Sequence, residues 1–149
     1  MEAIALEQAR LYINSLDFSM IINKLVKHGG WNKKHAERLA DVYKKFLFLN
    51  KKYGHLYQLP PSEEIDEFWH NHILDTKKYR ADCDKVFGEY RDHYPYFGID
   101  GSSDFNDLEN AFKNLQDLYL AEFGEELPKV THRFSKIISA FKRLFYRIH

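Results

Sequence analysis

The sequence predicts an all-α fold, a single compact domain of about six helices with the long helix over about residues 63–90 at its centre. Apolar residues recur at three- and four-residue spacing along most of the chain, the period of amphipathic helices. We find no convincing strand-like alternation and no internal repeat. A length of 149 residues, 16% of them aromatic, suits one well-packed core.

Helix boundaries follow from cap and stop residues. Asp17 or Ser19, Asn32 and Ser62 are placed to cap helices, because their side-chain oxygens can accept from free backbone N–H groups. Gly29-Gly30 and Gly124 are placed to end them. The predicted helices run over about residues 3–16, 20–28, 33–53, 63–90, 107–123 and 131–149. On the third, the spacing predicts a buried stripe made of Ala36, Leu39, Ala40, Tyr43, Phe46, Leu47 and Asn50.

Charge divides the chain into two predicted units. Residues 1–128 carry sixteen Lys/Arg and twenty-two Asp/Glu, a balance of −6, and we interpret them as the helical domain. Residues 129–149 carry six Lys/Arg and no acid, and we interpret them as a cationic amphipathic helix.

The cationic segment has three interpretations: packing on its own domain, contact with an anionic membrane surface, or binding to a protein partner. Nucleic acid is disfavoured because the rest of the chain is acidic and no nucleic-acid motif is present. The residues predicted to make the contact are Arg133, Lys136, Phe141, Lys142, Arg143, Phe145 and Arg147.

The single cysteine excludes an internal disulfide, and the first residues lack the basic start and apolar core of a secretory signal. No uncharged apolar run is long enough to span a membrane. We therefore predict a cytoplasmic protein, while a protein delivered into a host by another export route would show the same features.

Residues 61–98 concentrate the unusual chemistry of the chain, with two near-adjacent histidines, the cysteine and a tryptophan. His70 and His72 are two residues apart, so on a regular helix they point in nearly opposite directions and cannot share a metal. Asp66 lies one turn before His70 and could orient its ring, while His72 could cooperate with Asp75 or Thr76.

Two interpretations of this segment stay open. In the first, His72, Thr76, Tyr79 and Cys83 form a buried polar network. In the second, the segment binds zinc, and the candidate ligands are His70, His72, Cys83 and His93. His72 and Cys83 are separated by about 16 Å of helical rise, so a shared metal requires a bend near Asp75-Thr76.

The run IDxFWHxHILDTxxYxxDC over residues 65–83, followed by FG at 87–88 and HxPY at 93–96, resembles the glycine-rich domain-containing protein-like family. The similarity covers about residues 40–98. With seven glycines, the chain resembles the small stand-alone form associated with bacteria, without the long glycine-rich region of the plant members. The resemblance singles out, without assigning roles, Asp66, Trp69, His70, His72, Tyr79, Asp82 and Cys83.

The sequence favours a non-enzymatic interaction or regulatory domain with a structural His/Asp/Tyr/Cys network and a docking tail. The alternative is a zinc- or iron-type metal-binding protein, in which enzymatic activity stays open. No GxSxG, Walker or paired CxxC sequence supports the commonest hydrolase, nucleotide-binding or zinc-finger functions.

Overall fold

The computed structural model of the chain describes residues 2–101 and 105–129, and this part is built from helices with no strand among the described residues. The all-α single domain predicted from the sequence is confirmed. The six helices are α1 (Glu2–Ser15), α2 (Ser19–Gly29), α3 (Lys33–Tyr53), α4 (Glu63–Leu74), α5 (Thr76–Phe87) and α6 (Phe105–Phe123).

Helix α3, and not the helix predicted over residues 63–90, forms the centre of the domain. It packs against α1, α2, α4 and α6, and α5 closes the bundle by packing against α1 and α4. The predicted apolar stripe of α3 is buried, with Leu39, Tyr43 and Phe46 almost fully enclosed. This burial follows from the 3.6-residue period, which keeps such residues on one helix face.

Two of the predicted caps, Asn32 and Ser62, are present, while α2 has Phe18 at its N-cap position in place of the predicted Asp17 or Ser19. The side chain of Asn32 accepts from the His35 backbone N–H at 3.3 Å, and Ser62 accepts from that of Ile65 at 3.3 Å. Asp17 accepts from the Ser19 backbone N–H at 2.9 Å, so it supports the start of α2. These bonds satisfy donors that a helix start leaves free.

The predicted helix over residues 63–90 is two helices, α4 and α5, broken at Asp75. This residue has non-helical angles, φ −81° and ψ 67°. In an unbroken helix, His72 and Asp82 would be separated by about 15 Å of rise. Their side chains instead bond at 2.8 Å, so the break turns α5 back against α4.

Helix α5 also ends earlier than predicted. Gly88 follows Phe87 with φ 72°, a left-handed conformation that glycine adopts without steric cost. The chain then continues through residues 89–101 without a helix and passes beside α4, where His93 meets Trp69. This stop therefore places His93 at the candidate site.

Among the described helices, none combines the length and apolar character needed to cross a membrane. The predicted cationic helix, with Arg133, Lys136, Phe141, Lys142, Arg143, Phe145 and Arg147, lies outside the described residues.

Candidate metal centre

Helix α4 presents the two motif histidines to different surroundings. The side chain of His72 is 1% exposed and faces the core, whereas that of His70 is 52% exposed. The opposite orientation expected from their spacing is therefore present in the structure. It separates a buried network around His72 from a surface cluster around His70.

The buried network is centred on His72, which is bonded through both ring nitrogens. Nδ1 lies 2.7 Å from the Tyr43 hydroxyl, and Nε2 lies 2.8 Å from Oδ2 of Asp82. Because the Asp82 carboxylate only accepts, Nε2–H donates to it, and the Tyr43 hydroxyl donates to Nδ1. The network thus joins α3, α4 and α5.

Asp82 receives further donors from its surroundings. The Tyr12 hydroxyl donates to Oδ1 at 2.8 Å, and the Lys78 ammonium lies 3.1 Å from Oδ2. Burial acts to raise the pKa of Asp82, but bonds from His72, Tyr12 and Lys78 hold it below its usual value. Burial and the bond to Asp82 raise the pKa of Tyr12 to about 12.

A second chain of hydrogen bonds fixes the segment after α5. The Trp69 indole N–H donates to the Tyr79 hydroxyl at 2.9 Å, and that hydroxyl donates to the Arg91 carbonyl at 2.6 Å. Cys83 is buried beside them, and burial raises the pKa of its thiol. This thiol has the inert character of a core cysteine.

The surface cluster consists of Asp66, His70 and His93. Nε2 of His93 lies 2.5 Å from Oδ1 of Asp66, and Nε2 of His70 lies 3.4 Å from Oδ2. One ligand atom from each of the three residues lies within 4.8 Å of the other two. One carboxylate and two imidazoles therefore converge on a single point.

Each member of this cluster is positioned by the local fold. Asp66 and His70 are four residues apart on α4, so they share a face. His93 is 13% exposed and packs against Trp69, with ring centroids 4.4 Å apart and the rings tilted by 47°. The Tyr79 bond to Arg91 holds the chain two residues before His93. The cluster is thus preorganised on one helix and one anchored loop.

The cluster opens into a cleft of about 970 Å³. The cleft lies between α4, α6 and two loops, residues 54–62 and residues 91–99. That volume suits a small organic ligand. The walls carry apolar and aromatic side chains, among them Leu59, Trp69, Phe97, Leu108 and Phe112.

Glu63 lies in the same cleft one turn before Asp66. Its Oε2 is buried without a hydrogen-bond partner among the described residues. Burial, then the charges of Asp66 and Glu64, raise the pKa of Glu63. This end of the cleft therefore concentrates negative charge that the described side chains leave partly uncompensated.

The predicted residues are distributed over the two regions. Of the four predicted ligands, the structure brings together His70 and His93, while His72 and Cys83 belong to the buried side. The suggested partners of His72, Asp75 and Thr76, are exposed at the helix break, and Asp82 takes their place.

Some functional residues were missed. Asp66 was expected to orient His70, but its second contact with His93 makes it a candidate ligand; the i, i+4 spacing of Asp66 and His70 was the available signal. Tyr43 was interpreted as an apolar core residue, and its hydroxyl contact could not be read from helical spacing. Arg91 and Glu63 gave no motif signal.

This geometry defines a helical single-domain protein with a carboxylate–bis-imidazole cluster at a cleft. Residues 8–118 match the UCP032817-like family, and the chain belongs to that family. No match was found among curated proteins or among solved structures.

The resemblance to the glycine-rich domain-containing protein-like family is therefore wrong, and the inference of a stand-alone bacterial form of it no longer applies. Of the seven residues that it singled out, five are buried, and four of these are bonded in pairs, Trp69 to Tyr79 and His72 to Asp82. These residues hold α4 and α5 together. Contacts of this kind reflect helix packing and do not identify a family.

Proposed function

We propose that this protein binds one divalent transition-metal ion through Asp66, His70 and His93 and uses it on a small molecule held in the adjoining cleft. The observation that carries the proposal is the convergence of the three ligand atoms within 4.8 Å of one another. A cation at this point would replace the proton of the Asp66–His93 hydrogen bond, as metal binding commonly displaces protons from its ligands.

The ligand chemistry supports zinc or iron(II). Two imidazole nitrogens and one carboxylate oxygen suit both ions, whereas magnesium and calcium favour all-oxygen sites. Three protein ligands also leave coordination positions for water or substrate, which is typical of catalytic rather than structural sites. At such a position a metal activates water or polarises a substrate oxygen.

The electrostatics of the cleft support the same proposal. Burial raises the pKa of Glu63, and the nearby charge of Asp66 raises it further because it repels the ionised Glu63 carboxylate. A divalent cation at Asp66 would offset that repulsion. The exposure of His70, 52%, gives an ion access from solvent.

Metal content is the first measurement. Protein purified without a histidine tag or chelator is expected to contain about one zinc or iron per chain by elemental mass spectrometry. His70→Ala removes a direct ligand, so we expect zinc affinity to fall by more than about 100-fold, beyond the usual cost of losing an outer-shell partner. Because His70 is exposed, the fold should persist.

His28→Ala is the matched control, because His28 is an exposed histidine at the end of α2 and outside the cleft. It should leave zinc affinity unchanged. A wild-type protein that contains no metal, and whose melting temperature does not respond to zinc, cobalt(II) or iron(II), would refute the proposal.

The earlier prediction of a docking module depends on residues 130–149, which lie outside the described part of the chain. Binding of a membrane or protein partner by that segment stays a prediction, as does a cytoplasmic location. A structural role for the predicted polar network also stays a prediction: its members His72, Tyr79 and Cys83 are buried, whereas Thr76 is exposed.

A further inference from the structure

Arg91 is held rigidly within the cleft that contains the metal ligands. Its carbonyl accepts from the Tyr79 hydroxyl at 2.6 Å, and its Nη2 donates to Asn50 Oδ1 at 2.7 Å. Asn50 is itself buried and donates to the Phe46 carbonyl at 3.0 Å. Both ends of the arginine are therefore fixed by groups of the core.

The Arg91 guanidinium has N–H donors that the bond to Asn50 does not use. An arginine has five N–H donors in a planar fork, and the bond to Asn50 uses one of them. Nε is buried without a hydrogen-bond partner among the described residues. Since Arg91 lines the cleft, the unused donors of its Nη groups can meet a ligand there. A fixed fork of this kind recognises a planar carboxylate with little loss of entropy.

The charged side chains that line the cleft favour a singly charged anion over a doubly charged one. Without a metal, Glu63 and Asp66 outweigh Arg91 in the inner cleft, and Asp92 and Glu109 add exposed acids to its lining. A divalent cation reverses the balance of the inner cleft. A dianionic phosphate would be repelled more strongly by Glu63 than a monocarboxylate, so the carboxylate fits better.

We propose that the cleft binds a small organic carboxylate, whose charged group accepts hydrogen bonds from Arg91 while its apolar body packs against Leu59, Phe97 and Phe112. This inference rests on the proposed function, because the metal ion supplies the positive charge that offsets Glu63 and Asp66.

Calorimetry on the full-length zinc-loaded protein tests this with phenylacetate and phenylacetamide, two probes of nearly equal shape. We expect phenylacetate to bind at least about tenfold more tightly, since a hydrogen-bonded charge adds more than about 1.4 kcal/mol. Arg91→Gln should abolish the preference. Arg80→Gln, at an exposed arginine of α5 outside the cleft, should retain it.

Equal affinity for the two probes, or binding of neither, would overturn the inference even if Arg91→Gln fails to fold, because that comparison needs only the wild-type protein. Loss of the preference in Arg80→Gln as well would also overturn it. The zinc loading that precedes the titration separates the two proposals: failure to load rejects the metal function, whereas loading without carboxylate preference rejects this inference alone.

Discussion

Two histidines of one motif, two residues apart on α4, occupy opposite regions of this molecule. His72 is enclosed and bonded at both nitrogens, while His70 stands at the edge of a cleft with Asp66 and His93. Both residues are histidines, and their surroundings determine what each imidazole can bind. A buried imidazole with two protein partners has no nitrogen left for a ligand, whereas an exposed one beside a carboxylate does.

The two regions also differ in what they connect. The buried network ties α1, α3, α4 and α5 through Tyr12, Tyr43, His72 and Asp82. The cluster ties only α4 to the loop that carries His93. We therefore expect changes in the network to act on stability and changes in the cluster to act on metal binding.

His72→Ala is expected to have the largest effect on stability. It leaves a cavity, removes a donor from Asp82 and deprives the Tyr43 hydroxyl of its buried partner. We expect the free energy of unfolding to fall by about 2–4 kcal/mol. Urea denaturation followed by circular dichroism measures this change.

Zinc affinity should stay within a few-fold of the wild type in the same variant, because His72 is not a member of the cluster. His70→Ala should give the mirror result, with weaker zinc binding and little change in the unfolding free energy of the metal-free protein. If His72→Ala released the metal while remaining folded, the division between the two regions would be incorrect.

Asp82 makes the contribution of the network to the free energy of unfolding depend on pH. The expected effect is smaller than that of His72→Ala. Its pKa is lowered in the folded protein, so its contribution is fully present above the unfolded value of about 3.9 and is lost as the pH falls through the folded value. Asp82→Asn should therefore lower the unfolding free energy by about 2 kcal/mol at pH 7. This difference should shrink as the pH is lowered below about 4.

Asp84→Asn is the matched control, since Asp84 is exposed on the same helix two residues away. Urea unfolding at pH 7, 5 and 3 should show nearly constant stability differences for this variant. A wild-type advantage over Asp82→Asn that persists unchanged to pH 3 would mean that the carboxylate is not held ionised by His72, Tyr12 and Lys78.

The fold was largely readable from the sequence because helices are local. Caps at Asn32 and Ser62 and the stop at Gly30 act within one turn, and helical spacing marked the buried face of α3. The break at Asp75 was not predicted, although a bend there was recognised as a requirement for joining His72 to more distant residues. The turn is stabilised by the Asp82–His72 contact, which tertiary packing supplies.

Two of the three members of the cluster could be placed together from the sequence for the same reason. Asp66 and His70 are one turn apart, and their proximity follows from helix geometry alone. The approach of His93 depends on the local stop at Gly88 and on two further contacts, the packing of its ring against Trp69 and the Tyr79 bond to the Arg91 carbonyl. Those contacts join residues far apart in sequence, and no local pattern encodes them.

Cys83→Ala is expected to have the smallest effect on stability. The sequence predicted Cys83 as a zinc ligand, so this variant also tests whether the metal lies on the buried side of α4. The cysteine is buried beside Tyr79 and outside the cluster. Removing one sulfur should lower the unfolding free energy by only about 1 kcal/mol. Zinc stoichiometry and affinity should not change.

Thiol reactivity in the wild type provides a second measurement. Because burial raises the pKa of the Cys83 thiol, the reactive thiolate is scarce and enclosed. Its reaction with a disulfide reagent should therefore be slow in native protein and become fast once urea unfolds the chain, with the same rate in the presence and absence of zinc. Protection of Cys83 by zinc beyond the effect of added stability would place the metal on the buried side of α4 and reverse the assignment of the two regions.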